Sequence, residues 1–279
     1  MRSADLDAFL SDHPRTIVAE LASVRGSSPR EAGAFMVIAP DSMIGTIGGG
    51  ALEYMVIARA RKAMRGMMDV PLGPEIGQCC GGRAVVLLRV VARADRERLI
   101  ARVREAEASL PHLYLFGSGH VGKALARALA TLPLRVHVID TRPEELLGLP
   151  VGVEARAVPM PEAVVRSAPI GAAFVILTHD HALDFMIAAE ALKRADSPYV
   201  GMVGSKTKRA KFASWYHSDG GREEDLRRLV LPIGAFGLVD KRPEVIAALA
   251  AAEIMVHIGR REALYARPET EPSLGAAVD

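Results

Sequence analysis

Charge of one sign is what this chain lacks most plainly. Its 279 residues carry 35 lysines and arginines against 33 aspartates and glutamates, a net charge of +2. Without a basic surplus there is no electrostatic footprint for nucleic acid, in spite of a pI near 8.6, and no helix-turn-helix signal stands beside it. Long hydrophobic runs are missing too: none approaches the roughly 20 apolar residues of a membrane span. The stretch Met1-Arg-Ser-Ala-Asp-Leu-Asp7 has no apolar core and does not read as a signal peptide. Cysteine is nearly absent. Cys79 and Cys80 are adjacent and cannot form an ordinary structural staple, and C-x-x-C does not occur, so zinc-knuckle and thioredoxin-like readings have no support. These absences set the expectation of a soluble, cytoplasmic protein of a reducing compartment, with neither nucleic acid nor membrane as partner. Half the residues are hydrophobic, enough for a sizeable core in one large or two ordinary domains.

What is present centres on Leu113-Tyr-Leu-Phe-Gly-Ser-Gly-His-Val-Gly122. Four apolar residues run into Gly117, Gly119 and Gly122 at G-x-G-x-x-G spacing, and a helical pattern follows through Ala130. Such glycines serve a tight strand-to-helix turn, close approach of backbone to phosphate, and packing of helix on strand. The helix start, with Ser118 and His120 in the turn, then offers free N–H groups to an anion. A second strand, 134–139, ends in Asp140, at the distance where a ribose-binding acid belongs. Further strands are expected at 153–158, 173–177 and 199–203, and helices at 121–130, 161–167, 181–194 and 206–216. This alternation specifies an α/β Rossmann-type parallel sheet with helices on both faces, in strand order 3-2-1-4-5. The apolar, Ala-rich segment 243–258 is a closing helix, suited either to completing the core or to a homodimer.

The first part of the chain reads as a smaller α+β domain. A short helix is expected at 5–10, strands at 34–39, 43–47 and 85–91, and helices at 51–64 and 95–110. Periodicity leaves 15–24 open between strand and helix, and 67–77 reads as irregular. The boundaries are then 1–108 for this domain, 109–265 for the Rossmann-like domain and 266–279 for a loose tail.

Four strand ends of the second domain carry polar groups: Gly117-Ser-Gly-His120, Asp140-Thr-Arg142, Thr178-His179-Asp180-His181 and Gly204-Ser205-Lys206. In open α/β sheets ligands lie beyond these carboxyl ends, so Thr178, His179, Asp180, Gly204, Ser205 and Lys206 join the Gly117 turn as candidate binding residues. Asp180 is equally suited to cap the helix after it. In the first domain Arg25, Ser27 and Ser28 lie in a Gly/Ser/Pro loop, readable as a solvated turn or as an oxyanion grip. Gly48, Gly49 and Gly50 precede a helix, readable as a tight corner or as a second anion cradle. Glu53 falls in that helix's first turn, where an acid suits the dipole. Cys79 and Cys80 are either small core residues or soft thiolate ligands in a Gly-flanked loop.

Taken in order, Val24–Arg30, Ile47–Glu53, Gln78–Arg83, Phe116–Gly122, Val138–Arg142, Thr178–His181 and Tyr199–Lys206 resemble the XdhC/CoxI family, the accessory proteins of xanthine dehydrogenase and related molybdenum hydroxylases. The resemblance covers nearly the whole chain. It implies a chaperone more than an enzyme: one that binds molybdenum cofactor, protects it while a cysteine desulfurase exchanges an oxo ligand for sulfur, and delivers it to apo-xanthine dehydrogenase. On that reading the glycine turn takes the pterin phosphate, Asp140, His179 and Asp180 offer partners to the pterin edge, and Cys79 or Cys80 contacts molybdenum or sulfur. Broader relatives carry Gly-Leu-Asp-Ile-Gly-Ala near the end. Here the stretch reads Pro232-Ile-Gly-Ala-Phe-Gly-Leu-Val-Asp-Lys-Arg-Pro-Glu244, which leaves the last loop's contact with ligand open. Two other classes use the same rim: an NAD(P)-dependent oxidoreductase with Asp140 on the ribose, and a nucleotide-sensing module.

Overall fold

The computed structural model describes residues 1–74, 81–238 and 240–265, with the side chains of 262, 264 and 265 left out. Cys79, Cys80 and the expected tail 266–279 lie outside the described residues. The chain divides into two compact units, Met1–Ser109 and a second beginning at Leu110.

The first unit is a five-stranded antiparallel sheet in order β3-β2-β1-β5-β4. Its strands are β1 (Ile17–Arg25), β2 (Phe35–Ile38), β3 (Met43–Gly45), β4 (Gly66–Leu72) and β5 (Gly82–Val90), with helices α1 (Ser3–Asp12), α2 (Gly50–Arg61) and α3 (Arg93–Ala108). Side chains of a strand alternate between faces. Ile17, Ala19 and Leu21 therefore pack with Leu52, Val56 and Ala60 of α2, while Val18 joins Leu6, Leu10, Leu99, Ile100 and Val103 of α1 and α3. Burial on both faces explains why 17–25 shows no clean polar alternation. β4 corrects the expectation of an irregular stretch. It lies at the sheet edge, where Pro71 removes no interior ladder bond, and its pairing with β5 from Gly66↔Leu88 to Leu72↔Gly82 supplies the order that composition hides.

The second unit is a six-stranded parallel sheet in order β11-β10-β9-β6-β7-β8. Its strands are β6 (His112–Phe116), β7 (Arg135–Asp140), β8 (Glu154–Ala157), β9 (Ala173–Ile176), β10 (Val200–Met202) and β11 (Leu229–Val230). The expected 3-2-1-4-5 order is present, extended by β11, which at two residues is too short for a periodicity signal. Leu113 and Leu115 face one layer with α4 (His120–Leu129) and α9 (Pro243–Tyr265). Tyr114 and Phe116 face the other, with α5 (Pro161–Ser167), α6 (His181–Leu192) and α7 (Lys206–Ser218). A one-turn helix, α8 (Glu223–Leu226), leads into β11.

Helix α9 buries Ala247, Ala250, Ala251, Ile254 and Ile258 in the layer it shares with α4. Of the two roles open for 243–258, completing the core is the one this face performs. No helix among the described residues is long and apolar enough to cross a membrane.

Candidate functional site

The turn after β6 has the geometry its glycines suggest. Gly117 sits at φ +110°, and a Cβ there would fall 2.3 Å from the Leu177 carbonyl oxygen. A Cβ on Gly122 would fall 2.2 Å from the Gly117 oxygen, so helix and turn touch backbone to backbone. Gly119, the residue before α4, has open space where its Cβ would be. Between them Ser118 is fully buried, and its hydroxyl has no hydrogen-bond partner.

Asp140, at the end of β7, is almost completely buried and bonded within the chain. Oδ2 accepts from Ser118 N–H at 2.8 Å and Arg142 Nη2 at 3.1 Å. Oδ1 accepts from Arg142 N–H at 3.0 Å and Nε at 3.1 Å. A carboxylate has about four lone-pair sites, and these four bonds use them. Burial pushes the carboxyl up, but Arg142 and the Ser118 N–H outweigh it and hold the group below its ordinary range. Asp140 therefore ties the β6 turn to the β7 end and has no acceptor left for a ribose diol or a pterin edge.

Thr178-His179-Asp180-His181 also divides its labour. Asp180 is the N-cap of α6, accepting from Ala182 N–H at 2.7 Å and Leu183 N–H at 3.3 Å, and these bonds lower its pKa. Thr178 turns inward, its N–H and hydroxyl lying 2.9 and 2.8 Å from Oδ1 of the fully buried Asp184. Asp184 Oδ2 lies 2.5 Å from the Lys208 ammonium, which also donates to the Val203 carbonyl at 2.9 Å. This buried ion pair joins the ends of β9 and β10 through α6 and α7. Ser205 caps α7 by accepting from Lys208 N–H at 3.3 Å. A Cβ on Gly204 would meet the Lys208 stem at 2.6 Å, so this glycine makes room for the lysine.

Three neighbouring helix starts at the rim carry free nitrogen-bearing side chains, while the exposed acids Glu144 and Glu244 lie after β7 and at the start of α9. Helices α4, α6 and α7 follow β6, β9 and β10, three neighbouring strands, and open on His120, His181 and Lys206. These three side chains and His179 are exposed, and none makes a hydrogen bond or ion pair. Lys241, in the loop after β11, is exposed and unbonded as well. The rim aspartates are all bonded internally, Asp240 to Arg242 at 2.6 Å. Lys206, a cation in the first turn of α7, opposes the macrodipole of that helix without an internal partner, and so breaks a local rule as functional sites do. The arrangement suits an anion. It does not suit a metal: no group of three or more His, Cys, Asp or Glu side chains among the described residues is placed to hold one.

In the first unit the three loops singled out from the sequence come together. Ser27 bridges Gly81, and a Cβ on Gly82 would fall 2.1 Å from the Ser27 oxygen. A Cβ on Gly48 would fall 2.5 Å from Pro29 Cγ. Gly48, Gly49 and Gly50 all have positive φ. Their loop is indeed an anion cradle, but the chain supplies the anion itself. Glu53 Oε1 accepts from Thr46 Oγ1 at 2.5 Å, Ile47 N–H at 3.0 Å and Gly49 N–H at 2.9 Å. Burial raises the Glu53 pKa, and these bonds more than reverse it. Ser28 Oγ donates to the Arg30 carbonyl at 2.9 Å and serves its own turn. Arg25 is exposed and unbonded. The segment holding Cys79 and Cys80 leads directly into Gly81 in this cluster.

The comparisons with known proteins settle the lineage. Residues 113–254 match the XdhC Rossmann domain, and residues 10–69 match the XdhC and CoxI family. The chain belongs to the XdhC/CoxI family. YqeB of Escherichia coli (strain K12), itself uncharacterised, is 28% identical over 254 residues, 85% of this chain but 42% of YqeB. The chain thus spans less than half the length of that curated relative. A Bacillus halodurans crystal structure described as a xanthine dehydrogenase superposes with a TM-score of 0.76 at 20% identity, over 94% of this chain and 97% of that one. At that identity the likeness shows the shared fold.

In this XdhC-family protein several side chains read from the sequence as candidate binding groups are bonded within the chain. The sequence singled out Asp140, Glu53 and Asp180 as ligand groups, and each is satisfied internally. It missed Asp184 and Lys208, whose pairing depends on two helices meeting beneath the rim. Because Asp140 closes the turn, Asp140→Ala strands the Ser118 and Arg142 N–H groups, at about 1–3 kcal/mol for each buried group left unsatisfied. The variant is expected to melt several degrees below wild type, a result read by a thermal melt; an unchanged melt would show the bonds to be idle.

Proposed function

We propose that this protein is a molybdenum cofactor carrier: it binds the cofactor at the Rossmann rim, holds it during sulfuration and delivers it to apo-xanthine dehydrogenase. The observation that carries the reading is the row of free basic side chains, His120, His181 and Lys206, opening three adjacent helices beside the open space over Gly119. Pterin phosphate supplies the anion such a row requires. The chain's own part is to bind and shield. The α4 N–H groups and His120 hold the phosphate, Lys206 supplies a positive charge and His181 a further ring nitrogen beside it, and His179 offers an imidazole to the polar edge of the ring. A cysteine desulfurase as sulfur source is the second partner this role requires. A homodimer is compatible with it but is not needed.

The oxidoreductase alternative loses its main residue, since Asp140 has no acceptor free for a ribose. The test is a titration of the purified protein with NAD, NADH and released molybdenum cofactor, beside an assay for NADH oxidation. The expected outcome is binding of about one cofactor per chain and no hydride transfer. Turnover of NADH with a small carbonyl substrate, with no pterin bound, would contradict the proposal.

A further inference from the structure

Resting on the rim reading above, we propose that Phe236 is the stacking wall for the flat fused heterocycle of the bound ligand. The second unit buries its aromatic residues: Tyr114, Phe116, Phe174, Tyr199, Phe212 and Tyr216 are all in the core, and Phe185 and Trp215 pack against it. Phe236 is the exception, 57% exposed and the one exposed aromatic among the described side chains of that unit.

Its position is on the ligand side. β11 runs parallel to β10, so the loop after β11 leaves the same carboxyl rim as Ser205 and Lys206. The loop is held at its root. Leu231 and Ile233 are buried, and Arg209 donates to the Leu229 carbonyl at 2.9 Å. Gly234, at φ +66°, lies so close to α9 that a Cβ would fall 3.0 Å from Leu249 Cβ. The Phe236 N–H then closes a tight turn on the Gly234 carbonyl at 3.0 Å. The ring is thus carried at the tip of an anchored turn.

Strands lie about 4.8 Å apart, so β11 is about 14 Å along the rim from β6. A ligand with its anion over the α4 start and its ring directed across β9 and β10 runs toward this side chain. A protein partner does not fit the patch by itself. Phe236 and Leu238 are its two exposed apolar side chains, far short of the about 1,200 Å² that a stable interface buries. An aromatic face does suit a planar heterocycle, and stacking is tolerant of ring identity.

The test titrates the metal-free pterin phosphate into wild type, Phe236→Ala and Phe236→Trp, with inorganic phosphate as competitor and a thermal melt as control. Phe236→Ala is expected to weaken pterin phosphate binding about tenfold or more, with inorganic phosphate affinity and melting temperature unchanged. Phe236→Trp should bind as tightly as wild type. If wild type binds and Phe236→Ala binds equally well, or if alanine weakens inorganic phosphate to the same extent, the stacking role is overturned. If wild type itself binds no pterin phosphate, the carrier reading fails and this inference with it.

Discussion

Lys208→Met is expected to be the most damaging single change in the second unit. The Lys208 ammonium and the fully buried Asp184 carboxylate form a pair 2.5 Å apart. Removing the lysine leaves a carboxylate in the core with no counter-ion. Breaking a buried pair in this way costs about 3–5 kcal/mol, a fall in melting temperature of roughly 6–20 °C for a unit of this size. Neutralising both partners separates the charge penalty from lost packing: Lys208→Met with Asp184→Asn keeps an acceptor for Thr178 and should regain much of the loss. Thermal melts of the two variants check this. A double variant as unstable as the single one would show that the lysine acts through its stem, against Gly204, rather than through its charge.

Glu53 is expected to give the second-largest effect, in the first unit. Its Oε1 holds the Thr46 hydroxyl and the N–H groups of Ile47 and Gly49, fixing a loop of three positive-φ glycines. Glu53→Ala should cost about 1.5–3 kcal/mol, the range for hydrogen bonds to a charged group, with partial exposure drawing it toward the lower end. Glu53→Gln keeps the shape and removes the charge, which gives a pH signature. The folded carboxyl titrates below its ordinary value of 4.5, so its ionisation adds stability above that pH. The contribution is lost as pH falls through the lowered folded value. The gap between wild type and Glu53→Gln should therefore be full at pH 7 and close below about 4.5. A gap that persists at acid pH would mean that the carboxylate's charge is not what holds the loop.

The large units of this fold are legible in sequence because their signals are local. The run 113–116 into Gly117, Gly119 and Gly122 specifies strand, turn and helix from adjacent residues, and the alternation after it gives the sheet order. β4 is not legible: Gly66, Asp69 and Pro71 read as a loop, and only pairing with β5 makes them a strand. The site divides in the same way. Glycine positions follow from backbone need and are found. What a carboxylate bonds to depends on three-dimensional neighbours: Asp140 meets Ser118 across 22 residues and Asp184 meets Lys208 across 24. An acid at a strand end therefore looks free in sequence when it is already committed. The basic residues are the converse case. His120, His181 and Lys206 are unremarkable one at a time, and their meaning comes from β6, β9 and β10 being neighbours.

A rim that takes a molybdenum–pterin cargo, as proposed, predicts that the cargo stays with the protein through purification. The most direct measurement is the pterin and molybdenum content of the protein purified from cells that make molybdenum cofactor and from cells that cannot, alongside Lys206→Glu with His120→Glu. About one pterin and one molybdenum per chain are expected from the first source and none from the second, with the double variant empty from both and folded as wild type. Equal retention by wild type and the charge-reversed variant, or a nicotinamide nucleotide bound at this rim in place of pterin, would contradict it.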